Sequence, residues 1–308
     1  MYPYKIFGMF YLYGLMISIG LILAFILLFF LGKKKNIHED FMDFIFYDGI
    51  ASIVVGFGSA ALFQAVYNYI ENPAAGFHLD GGITFIGGLI GGVICFLVIY
   101  FIFRPRLKGR LVDVLTMLPC AVLLGHGFGR IGCLFAGCCH GAKTDAWYGI
   151  MMRTAEYGWA KVVPTQLFEA LFLFALCAVC LLLFFKKDFK HNMSVYLIGY
   201  GIWRFFIEYA RADDRGAFVG GISPSQFWAL LMIALGIGLI FLMNALVKKR
   251  EEELKAEKEG AVLVQAAAET DESAPSETSE RAQAMEEKRT EVKMPEEKQN
   301  TQETEKEL

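Results

Sequence analysis

The sequence predicts an all-α, polytopic membrane protein with about seven transmembrane helices, its N-terminus outside and its C-terminus cytoplasmic. Three observations carry this expectation: composition, the spacing of apolar stretches, and the placement of Lys and Arg. Hydrophobic residues make up 56% of the 308 residues and mean hydropathy is +0.44, whereas soluble domains are ~45–50% apolar. The apolar surplus lies in residues 1–247, because much of the Lys and Glu follows Val247. The net charge of −3 averages a basic-flanked body with an acidic-leaning tail, so by itself it points to no class of partner.

A helix needs ~20 predominantly apolar residues to cross the hydrocarbon core. Seven stretches meet or approach this: 10–31, 43–70, 82–103, 111–131, 165–185, 194–210 and 223–247. The second, fourth and sixth are less apolar. They carry Asp48, Gln64 and Asn68; Asp113, His126 and Arg130; and Arg204 and Glu208. Helices of that kind face a bundle interior. Basic residues follow alternate stretches: Lys33, Lys34 and Lys35; Arg104, Arg106, Lys108 and Arg110; Lys186, Lys187 and Lys190; Lys248, Lys249 and Arg250. The loop 71–81 has no Lys or Arg. The positive-inside rule therefore sets the orientation stated above. The first stretch lacks a basic start and a small-residue cleavage site, and reads as a retained span.

Two domains are expected: residues 1–247 as a seven-helix membrane domain and 248–308 as a charged, disordered cytoplasmic tail. The tail has no aromatics and is rich in Glu, Lys, Ala, Thr, Ser and Gln. It cannot bury enough apolar surface to offset chain entropy. Within it, 251–268 has Glu and Lys at i, i+4 spacing and allows a helical continuation of the last span. The sequence contains no convincing internal repeat.

Ionisable groups at membrane depth mark functional sites. Arg204, Glu208 and Arg211 stand at i, i+4 and i+7 and are expected on one face of the sixth helix. Under this topology they lie with Arg130 and Glu169 in the outer half of the membrane. Such an arginine group reads either as a phosphate clamp or as a salt-bridge network, and the excess of Arg over Glu favours the clamp. The run from Gly81 to Gly92 contains the pairs Gly87-Gly88 and Gly91-Gly92. Gly91 and Gly92 read as a close helix contact. Gly87 and Gly88 read as that, as room for a lipid headgroup, or as a helix break.

The segment from Gly129 through Gly141 is the most unusual: it places Arg130, Cys133, Cys138, Cys139 and His140 at a helix exit. Its cysteines admit four readings: a soft-metal site, a disulfide between Cys133 and one of the adjacent pair, a thiolate activated by Arg130, or small packing residues. The spacing is not a standard zinc spacing, and the expectation is a site without metal or cofactor.

In these residues the chain resembles the prolipoprotein diacylglyceryl transferase family of bacterial inner-membrane enzymes, from about Tyr11 to Leu246. Tyr13-Gly14 resembles the family's first-helix motif, and Gly87-Gly88-Leu89-Ile90-Gly91 its His-Gly-Gly-Leu-Ile-Gly stretch. Asp113, Pro119 and Gly129-Arg130-Ile131-Gly132 resemble its signature helix and Gly-Arg-x-Gly-Asn-Phe core. Pro164-Thr165-Gln166-Leu167-Phe168-Glu169 is similar to its His-Pro-Ser-Gln-Leu-Tyr-Glu motif. The stretch from Gly199 through Arg204 to Glu208 and Arg211 is similar to its sixth-helix motif, and Ser225-Gln226 to its Gly-Gln.

The resemblance implies transfer of the diacylglyceryl group of phosphatidylglycerol to the lipobox cysteine of a prolipoprotein, in lipoprotein biosynthesis. It implies as partners that lipid, a prolipoprotein signal peptide and the bilayer, with no nucleic acid. The location implied is the bacterial inner membrane, with the site facing the extracytoplasmic side. Tyr13, Arg130, Cys133, Cys138, Arg204 and Glu208 are the candidate catalytic residues; Gly87, Gly88, Gly141, Gln166, Glu169 and Arg211 are the candidate substrate-binding residues. Arg130 and Arg204 would take the phosphate. The departures are Ile86 for the family's His, Cys133 for Asn, and Ala136 and Cys138 for a second Asn and Glu. His126 and His140 are candidate substitute bases. The alternatives are a lipid-binding or thiol-redox paralogue without transferase activity, and, less favoured for want of paired repeats, a small-solute transporter.

Overall fold

The computed structural model describes residues 5–6, 10–79, 82, 84–154, 156–186, 189–211 and 222–271. Gly81, the loop 212–221 and the tail beyond 271 lie outside the described residues. The chain divides into two compact units, Met1–Met243 and Asn244–Leu308.

Among the described residues seven α-helices follow one another: α1 (Leu12–Lys34), α2 (Glu39–Glu71), α3 (Phe85–Phe103), α4 (Leu111–Ala136), α5 (Thr165–Phe185), α6 (Asn192–Ile207) and α7 (Pro224–Asp271). All but α6 are long and apolar enough to cross a membrane. Helix α6 has only 16 residues, so it rises about 24 Å. The 3-10 turn Glu208–Ala210 continues it, and at about 2 Å per residue brings the total near 30 Å. Helix α7 runs beyond its apolar span through Asp271, which is the helical continuation that the Glu and Lys spacing allows. Two short antiparallel hairpins add to the all-α plan: β1 (Lys5–Ile6) with β2 (Phe10–Tyr11), and β3 (Ile150–Thr154) with β4 (Gly158–Val162).

Helix α4 is the centre of the bundle, packed by α1, α5 and α6. Its buried residues Val114, Met117, Cys120 and Leu123 recur at helical spacing and meet Leu173, Cys177 and Cys180 of α5. The centre also holds a buried amide tied to two backbone carbonyls. Asn192 Nδ2 donates to the carbonyls of Thr116 (3.0 Å) and Cys180 (3.1 Å). Both carbonyls belong to helix backbone in the centre of the bundle, where a buried amide needs such partners. By contrast Ile22, Ile26 and Phe30 of α1 and Ile94, Phe101 and Ile102 of α3 are exposed. Large apolar faces of this kind are what a bilayer covers.

Glycine permits close approach at two helix crossings. A Cβ on Gly20 of α1 would lie 2.8 Å from Phe128 Cβ and 3.0 Å from the Gly125 carbonyl of α4. Between α2 and α3, a Cβ on Gly88 would lie 3.2 Å from the Gly56 carbonyl, and one on Gly92 3.1 Å from the Ser52 carbonyl. Gly87 meets Phe63 and Ser59 of α2, and its carbonyl accepts from Ser59 Oγ at 2.8 Å. Both glycine pairs therefore serve close backbone approach. The helix break entertained for Gly87 and Gly88 is not there: α3 is continuous from Phe85.

Candidate active site

The site gathers where α4 ends, α5 begins, α6 ends and α7 begins. Arg130, in the penultimate turn of α4, is joined to Glu169, one turn into α5, by an ion pair of 3.0 Å. Tyr200 of α6 donates to the same carboxylate oxygen at 2.8 Å. Glu169 is completely buried and Arg130 is partly so. One turn beyond Tyr200, Arg204 Nη2 pairs with Glu208 at 2.9 Å and donates to Ser225 Oγ of α7 at 2.7 Å. Ser223 Oγ donates to the other Glu208 oxygen at 2.9 Å. Arg211 Nε lies 3.9 Å from Glu208. Ser223 also caps α7, accepting from Gln226 N at 3.2 Å, while Gln226 Oε1 accepts from Ser223 N at 3.0 Å.

Three guanidinium groups thus face two carboxylates, a net charge of +1 among the described residues (3 − 2). Arg130 Nε and Arg204 Nη1 are buried without a hydrogen-bond partner among the described residues, as is Glu169 Oε2. Buried donors of that kind are costly unless something pairs with them. An anionic headgroup would satisfy the donors and neutralise the excess charge together.

The cysteine-rich exit of α4 forms the adjoining wall. Gly137 caps the helix in the left-handed region, φ 66°. Its N–H donates to the Leu134 carbonyl (3.2 Å), and that of Cys138 to the Cys133 carbonyl (3.3 Å). This pair of bonds is a Schellman cap. It explains the C-x4-C spacing: the cap folds the residue after Gly137 back over the one five positions earlier. A Cβ on Gly137 would strike the Arg153 carbonyl, so glycine is required here for conformation and for space. Cys139 also adopts positive φ, 61°, an uncommon state for a side-chain-bearing residue.

The N-terminus of α5 holds this loop. Gln166 Nε2 donates to the Cys138 carbonyl at 2.6 Å and Thr165 Oγ1 to the Cys139 carbonyl at 2.7 Å. Gly141 is wedged between Val163, Thr165 and the Ala210 carbonyl, and bridges to Arg211 in antiparallel fashion. The result is that the Sγ atoms of Cys133, Cys138 and Cys139 all lie within 4.8 Å of one another. Hydrogen bonds from Cys133 and Cys138, aided by the Arg211 guanidinium and opposed by burial, hold the Cys139 thiol well below the usual thiol range. Tyr13 of α1 lies near the three thiols and Arg130. Its ring carbon Cδ2 lies 3.2 Å from the place where a Cβ on Gly132 would stand.

Of the residues expected at the site, Tyr13, Arg130, Cys133, Cys138, Gly141, Gln166, Glu169, Arg204, Glu208 and Arg211 converge. Gly87 and Gly88 instead meet α2. Arg211 is not on the helical face expected for it. Helix α6 ends at Ile207, a 3-10 turn follows, and Arg211 is extended, reaching back to Gly141. His140 directs Nδ1 at the Gly141 carbonyl (2.9 Å) and His126 packs edge-on to Tyr200 (5.0 Å between ring centres). Tyr200, Thr165, Ser223 and Ser225 were missed as site residues. The spacing of Tyr200, Arg204 and Glu208 at i, i+4 and i+8 was the signal available for the first.

The fold and site define a polytopic helical membrane protein with a buried arginine and carboxylate site beside a thiol cluster. The family model described as prolipoprotein diacylglyceryl transferase matches residues 4–242. A phosphatidylglycerol–prolipoprotein diacylglyceryl transferase of Clostridium tetani is 33% identical over 239 residues, covering 76% of this chain and 94% of the relative. One from Clostridium perfringens is 33% identical over 262 residues, covering 80% and 96%. One from a Marinomonas species is 32% identical over 242 residues, covering 74% and 86%. The chain belongs to the prolipoprotein diacylglyceryl transferase family.

Proposed function

We propose that the chain transfers the diacylglyceryl group of phosphatidylglycerol to the lipobox cysteine thiol of a prolipoprotein. The observation that carries this reading is the surplus guanidinium buried beside three thiols. In the reaction a thiolate attacks the glyceryl carbon, the C–S bond forms, the C–O bond to phosphate breaks, and glycerol phosphate departs. Arg130 and Arg204 meet the phosphate and stabilise its growing charge. Glu169 and Tyr200 fix Arg130; Glu208, Ser223 and Ser225 fix Arg204; Arg211 adds charge from the side. Tyr13 offers a hydroxyl to the reacting groups. Gln166 acts through the Cys138 carbonyl and Gly141 through close packing, so both shape the cavity rather than touch the lipid.

The orientation read from the basic loops places this site on the extracytoplasmic side of the bacterial inner membrane, with residues 1–247 as the membrane domain and 248–308 as a cytoplasmic tail. That side is where an exported prolipoprotein presents its lipobox. Complementation of a strain depleted of its own transferase tests the activity. Restored growth and lipid-modified prolipoprotein are expected. Failure despite good membrane expression would favour the paralogue that binds lipid without transferring it.

A further inference from the structure

We propose that Cys133, Cys138 and Cys139 bind one zinc ion through their three sulfurs, and that the fourth position of the ion takes the acceptor thiol. The second half of this inference rests on the proposed transferase function; the first half does not.

The geometry suits zinc. With Zn–S bonds of ~2.3 Å, sulfurs around a tetrahedral ion stand about 3.8 Å apart. The three Sγ atoms already lie within 4.8 Å of one another, so small rotamer changes complete the face of a tetrahedron. All three thiols are free. The backbone is committed to this arrangement before any ion arrives. The Schellman cap folds Cys138 over Cys133. Positive φ at Cys139 turns its sulfur to the same spot. Gln166 and Thr165 grip the carbonyls of Cys138 and Cys139. An uncommon backbone state persists where the surroundings enforce it, and here it gathers three soft ligands.

The ligand count is that of a reactive centre. Structural zinc sites are closed by four protein ligands, whereas catalytic sites keep one position open. No fourth His, Cys, Asp or Glu joins the cluster among the described residues. The adjacent His140 has its Nδ1 engaged by the Gly141 carbonyl. Three thiolates and one zinc ion carry a net charge of −1. The Arg211 guanidinium hydrogen-bonds Cys139 and offsets that charge, while Arg130 Nε and Arg204 Nη1, without partners among the described residues, remain for the phosphate.

The open position answers a need of the reaction. The nucleophile is a thiolate, and an unperturbed thiol has a pKa of about 8.5. A thiol that coordinates zinc is deprotonated outright. The acceptor thiol binds the ion and releases its proton to water. A sulfur lone pair then forms the C–S bond while the C–O bond electrons leave on the phosphate oxygen beside Arg130 and Arg204. The product thioether is a weaker ligand than a thiolate and vacates the ion. Zinc keeps its oxidation state throughout, so no oxidant or reductant enters.

Elemental analysis of the full-length chain, purified in detergent from zinc-supplemented cells, tests the first half. About one zinc per chain is expected, with at least a tenfold loss in Cys133→Ser, Cys138→Ser and Cys139→Ser. Cobalt(II) substitution of the unmutated chain avoids dependence on variants that fold poorly, because thiolate-to-cobalt absorption bands report the ligands directly. A lipobox peptide should shift those bands, and its Cys→Ser analogue should not. Absence of bound zinc and cobalt, uptake of copper(I) alone, or thiol titration showing a disulfide within the trio would overturn the site. Cobalt bands that ignore the peptide would overturn the acceptor role. Transfer that continues undiminished after zinc is stripped with 1,10-phenanthroline would overturn that role while leaving the transferase reading intact. A zinc site that takes up the peptide in a chain unable to transfer lipid would overturn the transferase reading alone.

Discussion

Arg130 and Glu169 form a buried ion pair of 3.0 Å between α4 and α5. The carboxylate uses one oxygen for both Arg130 and Tyr200, leaving Oε2 and Arg130 Nε without partners among the described residues. A pair that is only half satisfied is a weak structural device and a good receptor for a third polar group. Glu169→Gln should lower unfolding free energy by about 3–5 kcal/mol, the cost of stranding a buried charge. Phosphatidylglycerol in the micelle should restore part of that loss and diacylglycerol should not. Equal rescue by the two lipids in denaturant titration would mean that the arginine does not meet the phosphate.

Arg204 uses Nη2 for both Glu208 and Ser225, which leaves the Nη1 arm of its planar fork for a phosphate oxygen. Lysine keeps the charge but not the fork. Arg204→Lys should therefore reduce lipid transfer by ~10²–10³-fold, the typical loss for one donor to a developing negative charge. An in vitro assay with labelled phosphatidylglycerol measures it. Near-normal rates would remove Arg204 from the phosphate site.

Two glycines of the same segment should behave in opposite ways. Gly137 has positive φ and faces the Arg153 carbonyl, whereas a Cβ on Gly129 would meet nothing within 4 Å. Gly137→Ala should destabilise by more than about 1 kcal/mol and make the three thiols react faster with maleimide. Gly129→Ala should be neutral or stabilising by up to about 1 kcal/mol, through helix propensity. Thermal unfolding of the two variants side by side decides the point.

Gly88 lies against the Gly56 carbonyl in the α2–α3 crossing. Gly88→Leu should lower thermal stability while leaving the KM for phosphatidylglycerol unchanged at temperatures where the variant is folded. A raised KM would return Gly88 to the headgroup site.

The basic loops predict a C-terminus on the cytoplasmic side. A C-terminal green fluorescent protein fusion should fluoresce, and a cysteine introduced into the Lys- and Arg-free loop 71–81 should react with an impermeant maleimide in intact spheroplasts. A dark fusion and a protected loop would reverse the topology, and with it the side on which the site opens.

Sequence by itself determined what depends on local chemistry. Apolar length marked six of the helices as long enough to cross a layer of fixed thickness, while α6 falls short of that length. Ordered motifs led to the family. Arg130, Glu169, Arg204 and Glu208 were legible because ionisable groups at membrane depth are too costly to be incidental. Tertiary structure decided what depends on partners distant along the chain. It paired Arg130 with Glu169, and it moved Arg211 from a helix face to a bridge with Gly141. It assigned Gly87 and Gly88 to the contact with α2, a choice that i, i+4 spacing cannot make because it does not say which helix lies opposite. The cysteine trio shows the division most clearly. Its spacing was visible in the chain, but as an irregular one. The Schellman cap, the positive φ at Cys139 and the grip of Gln166 and Thr165 bring the three sulfurs together. Those are backbone conformations and long-range hydrogen bonds, which no count of intervening residues encodes.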